Sequence, residues 1–373
     1  MNSMKCIPCI ALALLFLLAC SEPSSPPEVI PPLEPPEDTT SHAYSWEFHI
    51  VGVWGGSVLR AVAADADSSV WAVGYIQLDS TILSIPTGRE SSTANAIRIT
   101  PEAIVPYAIG VPSKNGQIAP AELYGITVER GYPTFWVTRR WTKMLPEGWT
   151  HAFFEDLNGL IIGREFFERG REGDVYLYGG RGFLGRFDGP SHKTHTQFPT
   201  GTARTITAFA EVGPDEFYVG GWDHDTTNGT FHHIKAGVVT DMQRDLGNGV
   251  RLNHATALWA SRERLFAFCP PYLYIQSLRQ PQRWDTLFLP PEIAGMNVGL
   301  PVCANGREDN DAFIAGHNAT IIHYNGRSLH FYDEVQAYFG HGVFEDIAVT
   351  PRKVYIVGSR NNRAILAIGT RRD

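Results

Sequence analysis

The side chains with most chemistry in them are thirteen histidines, a few acidic clusters and five cysteines, of which only Cys269 and Cys303 lie beyond the N-terminal segment. Asp223, Asp225 and Thr227 alternate in WDHDTTNG (222–229), as hard oxygen ligands do when they begin to wrap a calcium ion. The loop cannot finish that task. Eleven residues after Asp223 stands Ile234 where a bidentate carboxylate is needed, and the glycine comes one residue late. A solvated hairpin loop is the better reading, and Asp65-Ala66-Asp67-Ser68-Ser69 reads as a turn for the same reason. His232 and His233 are adjacent in a strand and point to opposite faces, while His192 and His195 lie in a polar loop. No His pair has zinc spacing with a companion carboxylate, so no metal site is expected.

Catalytic motifs are equally sparse. There is no Gly-x-Ser-x-Gly elbow and no phosphate-binding glycine loop, so no catalytic residue and no cofactor is assigned. Carboxylate pairs for glycoside hydrolysis act through space and not through sequence spacing. Glu122, Glu345 and Asp346 are the candidates for such a role. The net charge of −8 argues against a nucleic-acid partner.

The elements that must position these residues announce themselves by repetition. A five-residue theme recurs as VWAVG (70–74), TFWVT (134–138), VYLYG (175–179), EFYVG (216–220), LFAFC (265–269), AFIAG (312–316) and VYIVG (354–358). Its second position is always aromatic, and its fifth is Gly in five of seven cases. The fifth positions are 64, 41, 41, 49, 47 and 42 residues apart, near the period of propeller blades. The long first interval holds a polar insertion, Asp79 to Thr93. Each theme has a short β-like run before it and one or two after it, with Asp, Gly, Pro and Ser in the turns between. No amphipathic helix is evident after residue 44. High Gly, Pro and aromatic content at 19% charged residues fits the same picture.

The expected fold is therefore an all-β propeller of four-stranded blades, most simply seven, with six or eight left open. The last unit stops after its third run, AILAIGT (364–370), and SWEFHIV (45–51) can supply its fourth strand. DVYLYGGRGFLGRFDG (174–189) and DAFIAGHNATIIHYNG (311–326) resemble the blades of secreted bacterial β-propeller proteins. Gly179-Gly180 and Gly220-Gly221 resemble the double glycine of kelch blades, although the later kelch Trp is not regularly present. The resemblance implies a fold more than a function.

The N-terminus reads as an address. An apolar run, Ile10 to Leu18, is too short to span a bilayer and fits a signal peptide. It ends in Leu17-Leu18-Ala19-Cys20, which resembles the lipobox of bacterial lipoproteins. That resemblance implies residues 1–19 as signal, Cys20 as the lipidated mature N-terminus, and Ser21 directing the protein to the outer membrane. Residues 20–43 then form a Pro-rich acidic tether to a domain spanning 44–373. Cys269 and Cys303 remain in that domain, where an oxidising compartment permits a disulfide between them.

In a propeller, the loops entering each first strand and those joining the second and third strands emerge on one face. That scheme collects Trp54, Arg139, Arg140, Trp222, Asp223, His224, His254, Tyr272, His317, His341 and Arg360. Aromatic area and forked guanidinium donors suit a ligand surface. The expected function is a non-catalytic binding or scaffold module for an envelope protein or polysaccharide, attached to the membrane by its lipid. The alternative is a propeller enzyme acting on extracellular glycan.

Overall fold

The computed structural model describes residues 39–53, 55–66, 69–79, 83–84, 90–112, 118–129, 132–137, 140–145, 148–153, 165–169, 174–187, 195–198, 205–222, 229–242, 244–245, 251–252, 255–270, 272–281, 284–288 and 301–372. Among them, the strands form seven four-stranded antiparallel sheets and three small two-stranded ones. Blade one is Val58–Ala66, Ser69–Gln77, Thr93–Ile99 and Ile104–Tyr107. Blade two is Gly125–Glu129, Tyr132–Val137, Arg140–Leu145 and Gly148–Phe153. Blade three is Glu165–Arg169, Val175–Gly179, Leu184–Phe187 and His195–Gln197. Blade four is Thr205–Gly213, Glu216–Trp222, Gly229–Lys235 and Val238–Asp241. Blade five is Ala257–Ala260, Arg264–Cys269, Tyr272–Ser277 and Trp284–Phe288. Blade six is Pro301–Glu308, Asp311–Gly316, Ile321–Tyr324 and Leu329–Phe331.

The remaining sheet splices the two ends of the domain. Val343–Val349, Lys353–Arg360 and Arg363–Arg371 are followed by Tyr44–Val51, whose residues pair in register from Tyr44↔Arg371 to Val51↔Ala364. Its first strand, Val343–Val349, packs against the first strands of both blade six and blade one, so the ring is closed. Closure covers the edge that Arg363–Arg371 would otherwise expose.

The apolar core lies mainly in the seams between blades. The aromatic residues of the repeated theme, Trp71, Phe135, Tyr176, Phe217, Phe266, Phe313 and Tyr355, are all buried. Several meet edge to face: Trp71 on Phe135 at 5.7 Å and Tyr176 on Phe217 at 5.3 Å. Aromatic pairs in this geometry add to simple area burial.

In blades one, six and seven the theme's glycine, and in blade four the glycine after it, has a more specific cause. There the first strand carries a β-bulge, at Arg60, Thr207, Val302 and Glu345, beside Leu59↔Gly74, Ile206↔Gly221, Pro301↔Gly316 and Phe344↔Gly358; in blade three Gly179 pairs with Glu165 without one. The bulge pushes a carbonyl toward the facing residue. A Cβ on Gly74 would lie 2.1 Å from the Val58 oxygen, and one on Gly358 would lie 1.9 Å from the Val343 oxygen. Blades two and five end the theme in Thr138 and Cys269 and pair without such a break.

Two expectations are corrected. Cys269 and Cys303 are both thiols and no disulfide joins them; Cys269 packs in the seam of blades four and five, and Cys303 lines the axis of the ring. A helix is also present, Asp333–Phe339, between blade six and the first strand of the closing sheet. It buries Val335 and Phe339, spaced i, i+4, and stops at Gly340 with φ of 58°.

Candidate functional site

The ring has a front face, where first strands begin and second strands hand over to third, and a back face carrying the first-to-second turns. Five of the residues expected on the front face have described side chains there. Trp222 ends the second strand of blade four and is 38% exposed. Tyr272 opens the third strand of blade five, with its ring 5.4 Å from that of the exposed Phe288.

His317, His341 and Arg360 gather around the helix Asp333–Phe339. His317 opens a short 3-10 turn after the second strand of blade six, and the next residue's carbonyl accepts from Gln336 Nε2 at 3.1 Å. The amide of Ala319 donates to the Gly342 carbonyl at 2.7 Å, and Arg360 Nη1 donates to the Tyr338 carbonyl at 2.8 Å. His317 and His341 themselves are exposed. Arg140 begins the third strand of blade two, at the same front position, but its side chain lies outside the described residues. Cys20, Trp54, Arg139, Asp223, His224 and His254 also lie outside them.

Along the axis runs a cavity of about 390 Å³, lined by first-strand residues that include Arg60, Thr207, Cys303, Glu345 and Asp346. Its walls are otherwise largely small, with Ala61, Ala208, Ala257, Ala304 and Ala348 among them. The bulges set what projects at the front end. Arg60 Nε donates to Glu122 Oε1 at 3.0 Å, and Arg60 Nη1 donates to Glu345 Oε1 at 3.2 Å. Tyr124 Oη donates to Glu122 Oε2 at 3.3 Å. One guanidinium thus ties three successive blades together at the mouth and leaves one carboxylate charge in excess within this triad. The side chain of Glu345 is only 7% exposed, against 28% for Arg60 and 30% for Glu122.

Asp346 is used differently. Its Oδ2 accepts the Val62 amide at 2.8 Å and its Oδ1 accepts the Ile347 amide at 2.8 Å. Burial pushes its carboxyl up to about 7, against the lowering effect of those two amides. It is a pin between the closing sheet and blade one, as Asn305 is between blade six and the closing sheet, where its Nδ2 donates to the Ile347 carbonyl at 2.8 Å. Of the carboxylates singled out from the sequence, Glu122 and Glu345 therefore meet on Arg60, the residue that reading missed, while Asp346 is held by backbone amides. The available signal for Arg60 was its position in the bulge opposite Gly74.

Of the histidines, His233 is engaged structurally. It is 2.9 Å from Glu216 Oε1 and stacked on Tyr218 with ring centroids 4.4 Å apart. Among the described residues, no group of three or more His, Cys, Asp or Glu is arranged to hold a metal ion. No helix among them is long and apolar enough to cross a membrane.

The class these features define is an all-β propeller. Comparison with solved structures agrees. The structure of YCF48 bound to D1 peptide superposes with a TM-score of 0.60 at 11% identity, covering 90% of this chain and 98% of that one. The WD40 propeller domain of Doa1 (TM-score 0.49, 10% identity, 89% and 98% covered) and the Neurospora crassa Pan2 WD40 domain (0.49, 10%, 85% and 89%) are also similar. At 11% identity the likeness to the YCF48 structure is one of fold. No family model matches the chain, and no curated protein matches it.

Proposed function

We propose that this chain is a lipid-anchored propeller of the bacterial cell envelope whose front face binds a ligand without transforming it, the ligand being another protein or a polysaccharide. The observation that carries the reading is the front face itself. It sets the exposed Trp222, His317 and His341 and the half-buried Tyr272 and Arg360, from blades four to seven, on one side of a ring, around an axial cavity whose mouth is fixed by the Arg60 triad. Flat aromatic area and guanidinium donors on a rigid scaffold are what hot-spot surfaces use. A protein is the favoured ligand, because the fold neighbour YCF48 is bound to a peptide.

The lipid anchor on Cys20 rests on the Leu17-Leu18-Ala19-Cys20 sequence. The chain that follows it joins the domain at the back face, where the Thr40 amide donates to the Asn325 carbonyl at 3.2 Å. A membrane tethered through Cys20 would then lie behind the ring and leave the front face clear. The outer membrane is the proposed location, in keeping with Ser21 after the lipidated Cys.

One observation favours a second reading, an enzyme acting on extracellular glycan: three carboxyl groups, of Glu211, Glu345 and Asp346, border the axial cavity, and that of Asp346 sits near 7. Both Asp346 oxygens are, however, occupied by backbone amides, Glu345 shares a guanidinium with Glu122, and Glu211 accepts from the Tyr176 hydroxyl at 2.9 Å. Binding fits that arrangement better than proton transfer.

The test is capture of a ligand from envelope extracts, followed by titration of front-face and back-face variants. Trp222→Ala and Tyr272→Ala should each weaken binding by more than about 1 kcal/mol, roughly fivefold. Arg352→Ala, on the exposed back turn, should change it little. Full affinity in both front-face variants, or a larger loss from Arg352→Ala, would reject the proposal.

A further inference from the structure

Between blade six and the closing strand lies a buried polar network that the binding surface does not use. Its centre is His323, fully buried on the third strand of blade six. Its Nε2 is 3.1 Å from Asp311 Oδ1, and its Nδ1 is 2.9 Å from His42 Nδ1. His42 belongs to the stretch that leads into the N-terminal strand, and its Nε2 is 3.0 Å from Ser328 Oγ.

These contacts limit the protons. A carboxylate accepts only, so His323 Nε2 carries hydrogen. One Nδ1 of the His42–His323 pair must donate and the other accept, while His42 Nε2 faces the Ser328 hydroxyl, itself 3.3 Å from Asn325 Oδ1. The contact is satisfied with both rings neutral or with one added proton, and it cannot hold two. Two imidazolium rings would put N–H against N–H at this contact. Nor is there a spare anion to compensate them. Asp311 already accepts from Arg371 and has Arg307 Nε at 3.6 Å. The other titratable groups facing the pair are Tyr44, which accepts from Arg371, Tyr332, which donates to the His42 carbonyl at 3.0 Å, and His330, whose ring is 5.1 Å from that of His42. None supplies negative charge at neutral pH.

What the pair holds is short. Thr40 donates through its amide to the Asn325 carbonyl and through its hydroxyl to the Asn310 carbonyl, and Arg372 N donates to the Ala43 carbonyl at 2.8 Å. We propose that the His42–His323 contact is an acid-sensitive latch: it keeps residues 40–43 docked on blade six at neutral pH and releases them in acid, lengthening the segment behind the closing strand. Burial is the main cause: with His323 and His330 beside it, it lowers His42 to about 4, and it holds His323 below the usual imidazole range against the raising effect of Asp311. A ring that takes its proton at about 4 when docked and about 6.5 when released favours the released form by roughly twentyfold more at pH 5 than at pH 7. The sign is that of a depressed histidine. Docking is fully supported above about 6.5 and is lost as pH falls toward 4.

Hydrogen–deuterium exchange on the full chain at pH 7 and pH 5, corrected for the intrinsic pH dependence of exchange, tests this. Amides in residues 40–43, where that of Thr40 donates to the Asn325 carbonyl, should lose protection at least tenfold at pH 5, while the second strand of blade one, Ser69–Gln77, keeps its own. In His42→Gln the amide can present a donor or an acceptor to His323, and the pH response should fall below about threefold. An unchanged wild-type peptide, an equal loss in Ser69–Gln77, or an undiminished response in His42→Gln would overturn the latch. Should His42→Gln not fold, the two wild-type pH values still decide.

Discussion

Deleting residues 44–51 should abolish the folded ring. The strand lost is the fourth of the closing sheet, paired along its length with Arg363–Arg371. Tyr44 is buried, and Trp46 and Phe48 pack on the cluster that contains Phe313, Tyr332 and Phe344. Three aromatic side chains at about 1.5–3 kcal/mol each represent roughly 5–9 kcal/mol, comparable with the whole stability of a typical domain. The deletion also bares the edge of Arg363–Arg371 as a template for pairing between molecules. The expected result is loss of the cooperative thermal transition by circular dichroism and a shift to aggregates in gel filtration. A monomer with unchanged melting temperature would contradict closure by this strand.

Among the described glycines, Gly358 should be the one where a single added methyl, Gly358→Ala, does most damage. The new Cβ would meet the Val343 oxygen at 1.9 Å and Phe344 Cα at 2.8 Å, both of them backbone atoms that cannot rotate away. Relief requires undoing the bulge that places Glu345 at the mouth of the cavity, so the loss should reach about 3 kcal/mol or more. For a domain of this size that is roughly 5–10 °C in melting temperature. Gly213→Ala is the control, because its Cβ would meet only the Glu216 side chain, at 3.7 Å. It should cost under about 0.5 kcal/mol. Equal effects from the two substitutions would sever the glycine from the bulge.

These two predictions mark what was legible in the sequence. The theme aromatics could be placed on second strands because a buried strand repeats its apolar pattern every blade, and Trp71, Phe217 and Tyr355 sit where that pattern puts them. Strand 45–51 could be matched to the chain's other end because its alternation agreed with that of an outermost strand. The helix was not legible. Seven residues, DEVQAYF, offer a single buried i, i+4 pair, Val335 and Phe339, too little to establish a period.

The two side-chain networks were illegible for a different reason. Arg60 stands 62 residues from Glu122 and 285 from Glu345, and His42 stands 281 from His323. Only closure of the ring brings such pairs together, and no local spacing encodes it. The carboxylates Glu122, Glu345 and Asp346 were visible as residues, but the guanidinium and amides that hold them became apparent only in three dimensions. That context shifts their role from candidate proton donors to fixed parts of a rim. The choice between a disulfide and two separate thiols at Cys269 and Cys303, open in the sequence, falls to the thiols for the same reason. The two lie on different blades, one in a seam and one on the axis.

The central claim is that ligand is taken on the front face. A photo-crosslinking residue placed at Trp222, Tyr272 or His317, and separately at Arg352 on the back face, tests it directly in cells carrying the full-length chain. Front-face positions should each yield the same crosslinked partner on irradiation, and the Arg352 position should yield none of it. A partner captured from Arg352 and absent from all three front positions would place the site on the opposite side of the ring.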